Sequence, residues 1–236
     1  GVWSSEVGSA DLSGTGRGGV LALQAVLKHY KLGGKPLTYA IQGFGNVGLY
    51  FGTIAREVLP DLLLTAASDS SGGVSSAFGL DAQELAEYKA GGGKLTAYVG
   101  DDTVTISNDQ LLSEEVDVLV LAALGDVVTD KNVKQVKARF VLELANGPVS
   151  DAAYQQLSSD GVVVIPDVLA NAGGVIVSYL EWLQNRAGEH WSEAKVHEKM
   201  EHYLVPAVTE SLKLGDQKNL TLKEAALARA AQGILK

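Results

Sequence analysis

The apolar residues of this chain switch repeatedly between two periods, and the switches predict alternating strands and helices. Segments of strand length with mostly apolar residues occur at residues 37–41, 62–67, 116–121, 139–143 and 162–165. Helical spacing occurs between them, at residues 47–54, 81–88, 130–136 and 150–157. Alternation of this kind predicts an α/β fold of the Rossmann type, a doubly wound and mostly parallel sheet with helices on both faces.

The two ends of the chain carry different patterns. Residues 1–13 are small and polar without a period, which predicts a lead-in loop, and a helix is predicted over 15–32. From residue 168 to 236 the spacing is mostly helical, which predicts C-terminal helices packed on the sheet. Because no linker rich in Pro, Ser or charge interrupts the chain, we expect residues 1–236 to form a single domain.

A glycine turn follows the first predicted strand and leads into a helix. It reads Gly43-Phe44-Gly45-Asn46-Val47-Gly48. In a dinucleotide site the first glycine allows a tight turn, the second lets the backbone approach a pyrophosphate, and the third lets the helix pack on the strand. Asp69 ends the next strand, somewhat farther along than the roughly 20 residues usual for a ribose-binding acid. A turn without a ligand is the alternative, and the strand-to-helix context favours dinucleotide binding.

Composition narrows the range of partners. A net charge of −9 without a basic cluster argues against nucleic acid. The absence of cysteine removes disulfides and thiol chemistry, which suits the cytoplasm. No apolar run approaches the length of a membrane span, and the first residues lack the layout of a signal peptide. We therefore expect a cytoplasmic protein with a small-molecule substrate and no membrane partner.

Other candidate chemistry gives weaker signals. His197 and His202 look like a zinc-protease pair, but five residues on a helix turn the two side chains roughly 140° apart, so no metal site is predicted. Asn146 and Asp167 follow predicted strands, where polar residues either line a ligand crevice or cap turns. Gly173 and Gly174 near a helix start indicate close backbone approach, either by a nicotinamide ring or by another helix.

Three segments together resemble the cofactor-binding domain of glutamate dehydrogenase, within the Glu/Leu/Phe/Val dehydrogenase family. They are QGFGNVG at 42–48, ELANGP at 143–148 and IPDVLANAGGVIVSYLEWLQN at 165–185, and TGRG at 15–18 resembles the family's ATGRG helix start. The resemblance covers nearly the whole chain in family order. It implies NAD(P) binding by residues 1–236 and, in the whole enzyme, reversible oxidative deamination of L-glutamate to 2-oxoglutarate and ammonia.

The resemblance also implies the positions of site residues. Those expected to bind the cofactor are Gly43, Phe44, Gly45, Asn46, Val47 and Gly48 at the pyrophosphate, Ser68, Asp69 and Ser70 at the adenosine ribose, Ala122 and Ala123 along its path, and Thr15, Asn146 and Asn171 at the nicotinamide. Val175 and Ser178 are expected at the substrate. A serine at 178 favours glutamate, since branched-chain members of the family have an apolar residue there.

This sequence departs from the family in two ways. Asp11 replaces an arginine and Gly14 replaces an alanine near Thr15. The catalytic lysine and aspartate of the family belong to an N-terminal domain that no segment here resembles, so no catalytic residue is assigned and the chain alone is expected to be inactive. A stand-alone nucleotide-binding or regulatory module, and a dehydrogenase of leucine or phenylalanine type, are the alternatives.

The choice of cofactor depends on the residues around Asp69. The carboxylate favours NAD because it repels a 2′-phosphate, and no Lys or Arg is adjacent in sequence. The neighbouring serines keep NADP or dual use open as alternatives. Because the family is usually hexameric, the whole enzyme is expected to be a homo-oligomer.

Overall fold

The structure is a computed structural model that describes the backbone of residues 5–234 and the side chains of residues 12–233. Its strands are β1 (Leu37–Gln42), β2 (Leu62–Asp69), β3 (Gly72–Ser75), β4 (Val104–Ile106), β5 (Val118–Leu121), β6 (Phe140–Glu143) and β7 (Val163–Ile165). They form a seven-stranded sheet in the order β4-β3-β2-β1-β5-β6-β7. The five strands from β2 to β7 along this order are parallel, and β3 and β4 add an antiparallel edge.

Helices cover most of the remaining chain in the described range. They are α1 (Ser5–His29), α2 (Asn46–Val58), α3 (Ala82–Ala90), α4 (Asn108–Leu112), α5 (Asp151–Ser159), α6 (Asp167–Ala170), α7 (Ala172–Ala187), α8 (Glu193–Lys218) and α9 (Leu222–Ile234). Short 3-10 turns lie at Leu95–Ala97 and Val133–Gln135. Across residues 5–234, none of these helices combines the length and apolar character needed to cross a bilayer.

The predicted doubly wound α/β fold is confirmed by the strand order. β2 pairs with one edge of β1, starting at Leu37 with Leu62, and β5 pairs with the other edge, where Tyr39 faces Val118. The chain therefore reverses its winding direction at β1. In such a sheet the loops after the two central strands separate, which opens a crevice beyond the carboxyl ends of β1 and β5.

Helices lie on both faces of the sheet because neighbouring strand residues point to opposite sides. Tyr39 and Ile41 of β1 belong to the same buried cluster as Phe51 of α2. Ala40, between them in sequence, belongs to a second cluster that contains Leu111 of α4. The alternation explains why β1 is mostly apolar, since both of its faces are covered; Thr38 and Gln42 are its polar members.

The prediction of a lead-in loop over residues 1–13 is wrong from residue 5, where α1 begins, and residues 1–4 lie outside the described range. Tertiary packing accounts for the difference. A side chain at Gly14 or Gly18 would collide with α7, at 3.3 Å from the carbonyl oxygen of Gly173 and 2.7 Å from its Cα, respectively. The glycines at 14 and 18 therefore let the two helices touch along their backbones.

Two further predictions of local structure need correction. The helix predicted over 130–136 is a 3-10 turn, Val133–Gln135. Asn132 stabilises the turn, because its side chain accepts a hydrogen bond from the Thr129 amide at 2.7 Å and donates one to the Val127 carbonyl at 2.8 Å. The strand β3 was not predicted, since Gly72–Ser75 has no alternating pattern and depends on pairing with β2 and β4.

Candidate cofactor site

The glycine turn connects β1 to α2 at the mouth of the crevice. Gly43 has φ of +94°, a conformation that glycine adopts without strain. The backbone N–H groups of Gly43 and Phe44 both donate to the carbonyl of Ser68, at 2.9 and 2.6 Å. A methyl group at Gly43 would lie 2.6 Å from Cβ of Ala123. The turn is therefore held between the ends of β2 and β5, which brings the predicted residues Gly43, Ser68 and Ala123 together.

The second and third glycines have contrasting surroundings. A methyl group at Gly48 would lie 2.3 Å from the carbonyl oxygen of Gly43, so the helix packs directly on the turn. At Gly45, the N-cap residue of α2, no atom of the described residues other than its own chain neighbours lies within 4 Å of the position of such a methyl group. Open space in front of a helix N-terminus is what the diphosphate of a dinucleotide requires, so the turn fits that ligand.

The side chains of the turn divide between core and surface. Asn46 is exposed and Val47 is partly buried, whereas Phe44 is fully buried in the main core. The ring of Phe44 therefore supports the turn from below. The buried side chain of Phe44 therefore has no surface to offer a cofactor, and its backbone N–H group already donates to Ser68. Its predicted part in cofactor binding is reduced to holding the turn in shape.

Lys89 is a candidate site residue that the sequence analysis did not single out. Its Nζ donates to the Asp69 carboxylate at the end of β2, forming an ion pair from α3. Ser71 donates its backbone N–H and its hydroxyl to the same carboxylate, at 2.9 and 2.6 Å. No Lys or Arg is adjacent to Asp69 in sequence, and the lysine that pairs with it comes from 20 residues farther along the chain.

The charge of the Asp69 group follows from these contacts. Burial acts to raise the pKa of Asp69, but the hydrogen bonds from Lys89 and Ser71 outweigh it and hold that pKa below its ordinary value. Asp69 is therefore ionised at neutral pH and its charge is balanced by Lys89. Ser70 and Ser71 are exposed beside this pair.

The loops after β6 and β7 form the other half of the crevice. Asn171 donates its side-chain amide to the Asn146 side-chain oxygen at 2.8 Å, which joins two predicted nicotinamide residues. Asp167 accepts a hydrogen bond from the Gly147 amide at 3.0 Å, and its own amide donates to Glu143 at 3.0 Å. Asp167 thus has a structural contact between the two loops.

Glu143 is the second functional candidate that the sequence did not single out. It ends β6 and is only 1% exposed. Burial raises the pKa of Glu143 to about 7; the Asp167 amide and Lys223 lower this pKa, and the Asp167 carboxylate raises it. The sequence did hold an indication, because Glu143 is a charged residue at the end of an otherwise apolar strand. The ELANGP segment was used only for the family resemblance.

The remaining predicted residues lie on α1 and α7. Thr15 is partly buried within α1, and Val175 and Ser178 are exposed on α7. A methyl group at Gly14 would lie 2.7 Å from Cγ2 of Val177, so helix packing accounts for the glycine at this position. The side chain of Asp11 lies outside the described residues.

The doubly wound sheet and the open N-terminus of α2 define a Rossmann-type protein of the nucleotide-binding class. Residues 8–236 match the family model of the Glutamate/Leucine/Phenylalanine/Valine dehydrogenases, and the chain belongs to that family. The family consists of amino-acid dehydrogenases, oxidoreductases that use a nicotinamide cofactor.

Individual relatives agree with this assignment. The chain is 36% identical over 224 residues to an NADP-specific glutamate dehydrogenase of Synechocystis, covering 92% of this chain and 52% of that protein. It resembles the hetero-hexameric glutamate dehydrogenase of Thermus thermophilus in its leucine-bound form, with a TM-score of 0.82 and 30% identity over 92% of this chain and 50% of that one. It also resembles the glutamate dehydrogenase of Peptoniphilus asaccharolyticus, with a TM-score of 0.79 and 29% identity over 95% of this chain and 52% of that one. The chain thus spans about half the length of these relatives.

Proposed function

We propose that residues 1–236 form the cofactor-binding domain of a glutamate dehydrogenase. The main observation that supports this proposal is the glycine turn, in which Gly43 and Gly48 are packed against protein while Gly45 faces open space. In the proposal this domain holds the cofactor, and the proton chemistry belongs to a part of the whole enzyme that this sequence does not resemble. The relatives named glutamate dehydrogenase support the proposal, because they are about twice as long as this chain and the chain matches only about half of each.

The residues of the crevice have separate tasks in this proposal. A bound nicotinamide supplies hydride transfer. The N-terminus of α2 presents its free backbone N–H groups to the diphosphate. Asn146 and Asn171 offer amide groups on the nicotinamide side, and their mutual hydrogen bond keeps both side chains oriented.

Ser178 supports glutamate as the substrate. Val175 is 73% exposed, and Ser178 is exposed on the same helix, as are Tyr179 and Trp182. This surface is accessible to a substrate, and a hydroxyl there matches a distal carboxylate better than an apolar side chain. In the whole enzyme, which we propose to be a homo-oligomer, kcat/KM for glutamate should exceed that for leucine and phenylalanine. The reverse order would favour the leucine or phenylalanine type.

Lys89 supports use of NADP(H). An isolated carboxylate at the end of β2 repels a 2′-phosphate, but here Lys89 balances the charge of Asp69. The exposed hydroxyl of Ser70 adds a hydrogen-bond donor beside it, whereas the hydroxyl of Ser71 already donates to Asp69. We therefore propose NADP(H) as the preferred cofactor and NAD(H) as a weaker one, which revises the preference for NAD drawn from the sequence.

The first prediction concerns the polypeptide of residues 1–236 without additions. Calorimetry with NADPH is expected to show saturable binding at one site per chain, because the glycine turn and the ion pair are complete within these residues. Glutamate with NADP⁺ should give no cofactor reduction. Absence of saturable binding up to about 1 mM NADPH, which corresponds to roughly −4 kcal/mol, would overturn the proposal. Glutamate-dependent reduction would contradict the division of labour.

The second prediction tests the role of Lys89. The change Lys89→Met should weaken NADPH binding about tenfold or more, because a charged donor is lost and an unpaired Asp69 then repels the phosphate. NADH binding should change less than twofold, since that cofactor carries a neutral 2′-hydroxyl. Dissociation constants for both cofactors measure the effect, with Lys134→Met in the exposed 3-10 turn as a matched control. An equal loss for NADPH and NADH would show that Lys89 acts only through the fold.

A further inference from the structure

A buried carboxyl group lies beneath the nicotinamide side of the proposed site. Glu143 ends β6 three residues before Asn146, and almost none of its surface reaches solvent. Asp167 is the first residue of α6, after β7, and its backbone amide donates a hydrogen bond to Oε2 of Glu143 at 3.0 Å. Glu143 therefore connects the ends of two neighbouring strands from inside the protein.

The contacts continue from Glu143 to both predicted asparagines. Asp167 accepts the amide hydrogen of Gly147 at 3.0 Å, and Gly147 directly follows Asn146 in the loop after β6. Asn171, four residues after Asp167, donates to the Asn146 side chain at 2.8 Å. The two loops are thus joined twice, once inside the protein through Glu143 and Asp167, and once at the surface through the side chains of Asn146 and Asn171.

The second oxygen of Glu143 makes the group unusual. Its Oε1 is buried and accepts no hydrogen bond of ordinary geometry among the described residues, and the backbone amide of Val149 is close enough only to lower the pKa of Glu143. An unpaired buried carboxylate oxygen is costly, and a strand terminus could be buried more favourably by an apolar residue. The asymmetry indicates that this position needs the acceptor that faces Asp167 more than it needs a fully satisfied side chain.

We propose that Glu143 is a positioning residue that ties the loop after β6 to the start of α6 and so holds Asn146 and Asn171 in place for the cofactor. The inference rests on the proposed function, because it concerns the nicotinamide side of the same site. Glu143 itself is buried and acts through Asp167 and Gly147.

Titration of Glu143 gives the inference a measurable direction. The charged and titratable groups that act on it are Asp167 of α6, Lys223 of α9 and Tyr154 of α5. Above about pH 7 the ionised Glu143 faces the Asp167 carboxylate, and the two like charges repel each other. We expect this repulsion to loosen the contact between Asp167 and Gly147. Cofactor affinity should therefore fall as the pH rises through 7.

The test compares NADPH affinity at pH 6.0 and 8.5 in the wild-type chain and in Glu143→Gln. NADPH is chosen because its nicotinamide ring is uncharged. Glutamine keeps an oxygen for the Asp167 amide but does not ionise. Between pH 6.0 and 8.5 the NADPH affinity of Glu143→Gln should therefore fall by a factor about three times smaller than that of the wild type. The ratio between the two proteins cancels titration of the cofactor's own 2′-phosphate. Glu198→Gln, on the exposed face of α8, is the matched control and should follow the wild type.

Hydrogen exchange in the free chain provides a second measurement. Glu143→Ala should accelerate exchange of the backbone amides at residues 145–148 and 166–171, and Glu143→Gln should restore most of the protection. Unchanged exchange in the alanine variant would overturn the inference without reference to any cofactor.

The outcomes separate the inference from the proposed function. If both proteins bind NADPH with parallel pH profiles, Glu143 only supports the fold and the inference fails while the proposed function stands. If the wild-type chain binds no NADPH at either pH, the proposed function fails and the positioning role for the cofactor fails with it. A pH-dependent affinity in the wild type that is flattened in Glu143→Gln supports both.

Discussion

Replacing Gly173 by alanine is expected to destabilise the fold by about 3 kcal/mol or more, a large part of the 5–15 kcal/mol that holds an average domain together. The added methyl group would lie 2.1 Å from the carbonyl oxygen of Gly14 and 2.9 Å from Cα of Gly18. Both neighbours are backbone atoms inside α1, so no side chain can rotate away. Relief requires the two helices to separate, which would disturb the packing of α1 and α7 and lower the midpoint of urea unfolding.

A matched substitution separates collision from a general effect of glycine. Gly233 lies in α9, and no protein atom is within 4 Å of a methyl group placed there. Gly233→Ala should be neutral or stabilise the helix by up to about 1 kcal/mol, because alanine has the higher helix propensity. If Gly173→Ala unfolds at the same urea concentration as the wild type, the close crossing of α1 and α7 is not a determinant of stability.

Replacing Gly45 by alanine is expected to leave the fold intact and to weaken NADPH binding at least about tenfold, or 1.4 kcal/mol. Gly45 has φ of −90°, which alanine tolerates, and the position of the new methyl group is free of protein atoms. That same space is where the diphosphate must approach the N-terminus of α2 in the proposed function. The methyl group would therefore compete with the cofactor and with nothing else.

Two measurements on the same protein check this second result. Thermal unfolding of the free Gly45→Ala chain should match the wild type, and calorimetry with NADPH should show the loss of affinity. Gly33→Ala is the control, because a methyl group there also meets no atom within 4 Å but lies in the turn before β1. Retained affinity in Gly45→Ala would mean that the cofactor does not pass this glycine.

The strands around the crevice were predictable because each carries its own signal. β1, β5 and β6 are buried on both faces, so their sequences are continuous apolar runs that end in turn or polar residues. The glycine turn after β1 adds a spacing that, between a strand and a helix, favours a dinucleotide site. These local features were enough to predict the fold class, and the family segments added the positions of the site residues.

Elements that depend on distant partners were not predictable in the same way. β3 contains two glycines and forms because β2 and β4 offer hydrogen bonds on either side. The helix α1 extends through a glycine-rich segment because α7 packs closely on it. In both cases the contact energy comes from residues that a local window does not contain.

The sequence by itself therefore determined the order of strands and helices, the place of the glycine turn and the family. Only the tertiary structure decided which charges meet in the crevice. Lys89 of α3 reaches Asp69 at the end of β2 across 20 residues of sequence, and Glu143 meets Asp167 because β6 and β7 are adjacent in the sheet. Periodicity and turn chemistry are local properties of the chain, whereas pairing of charges depends on distances that arise only when separate elements pack together.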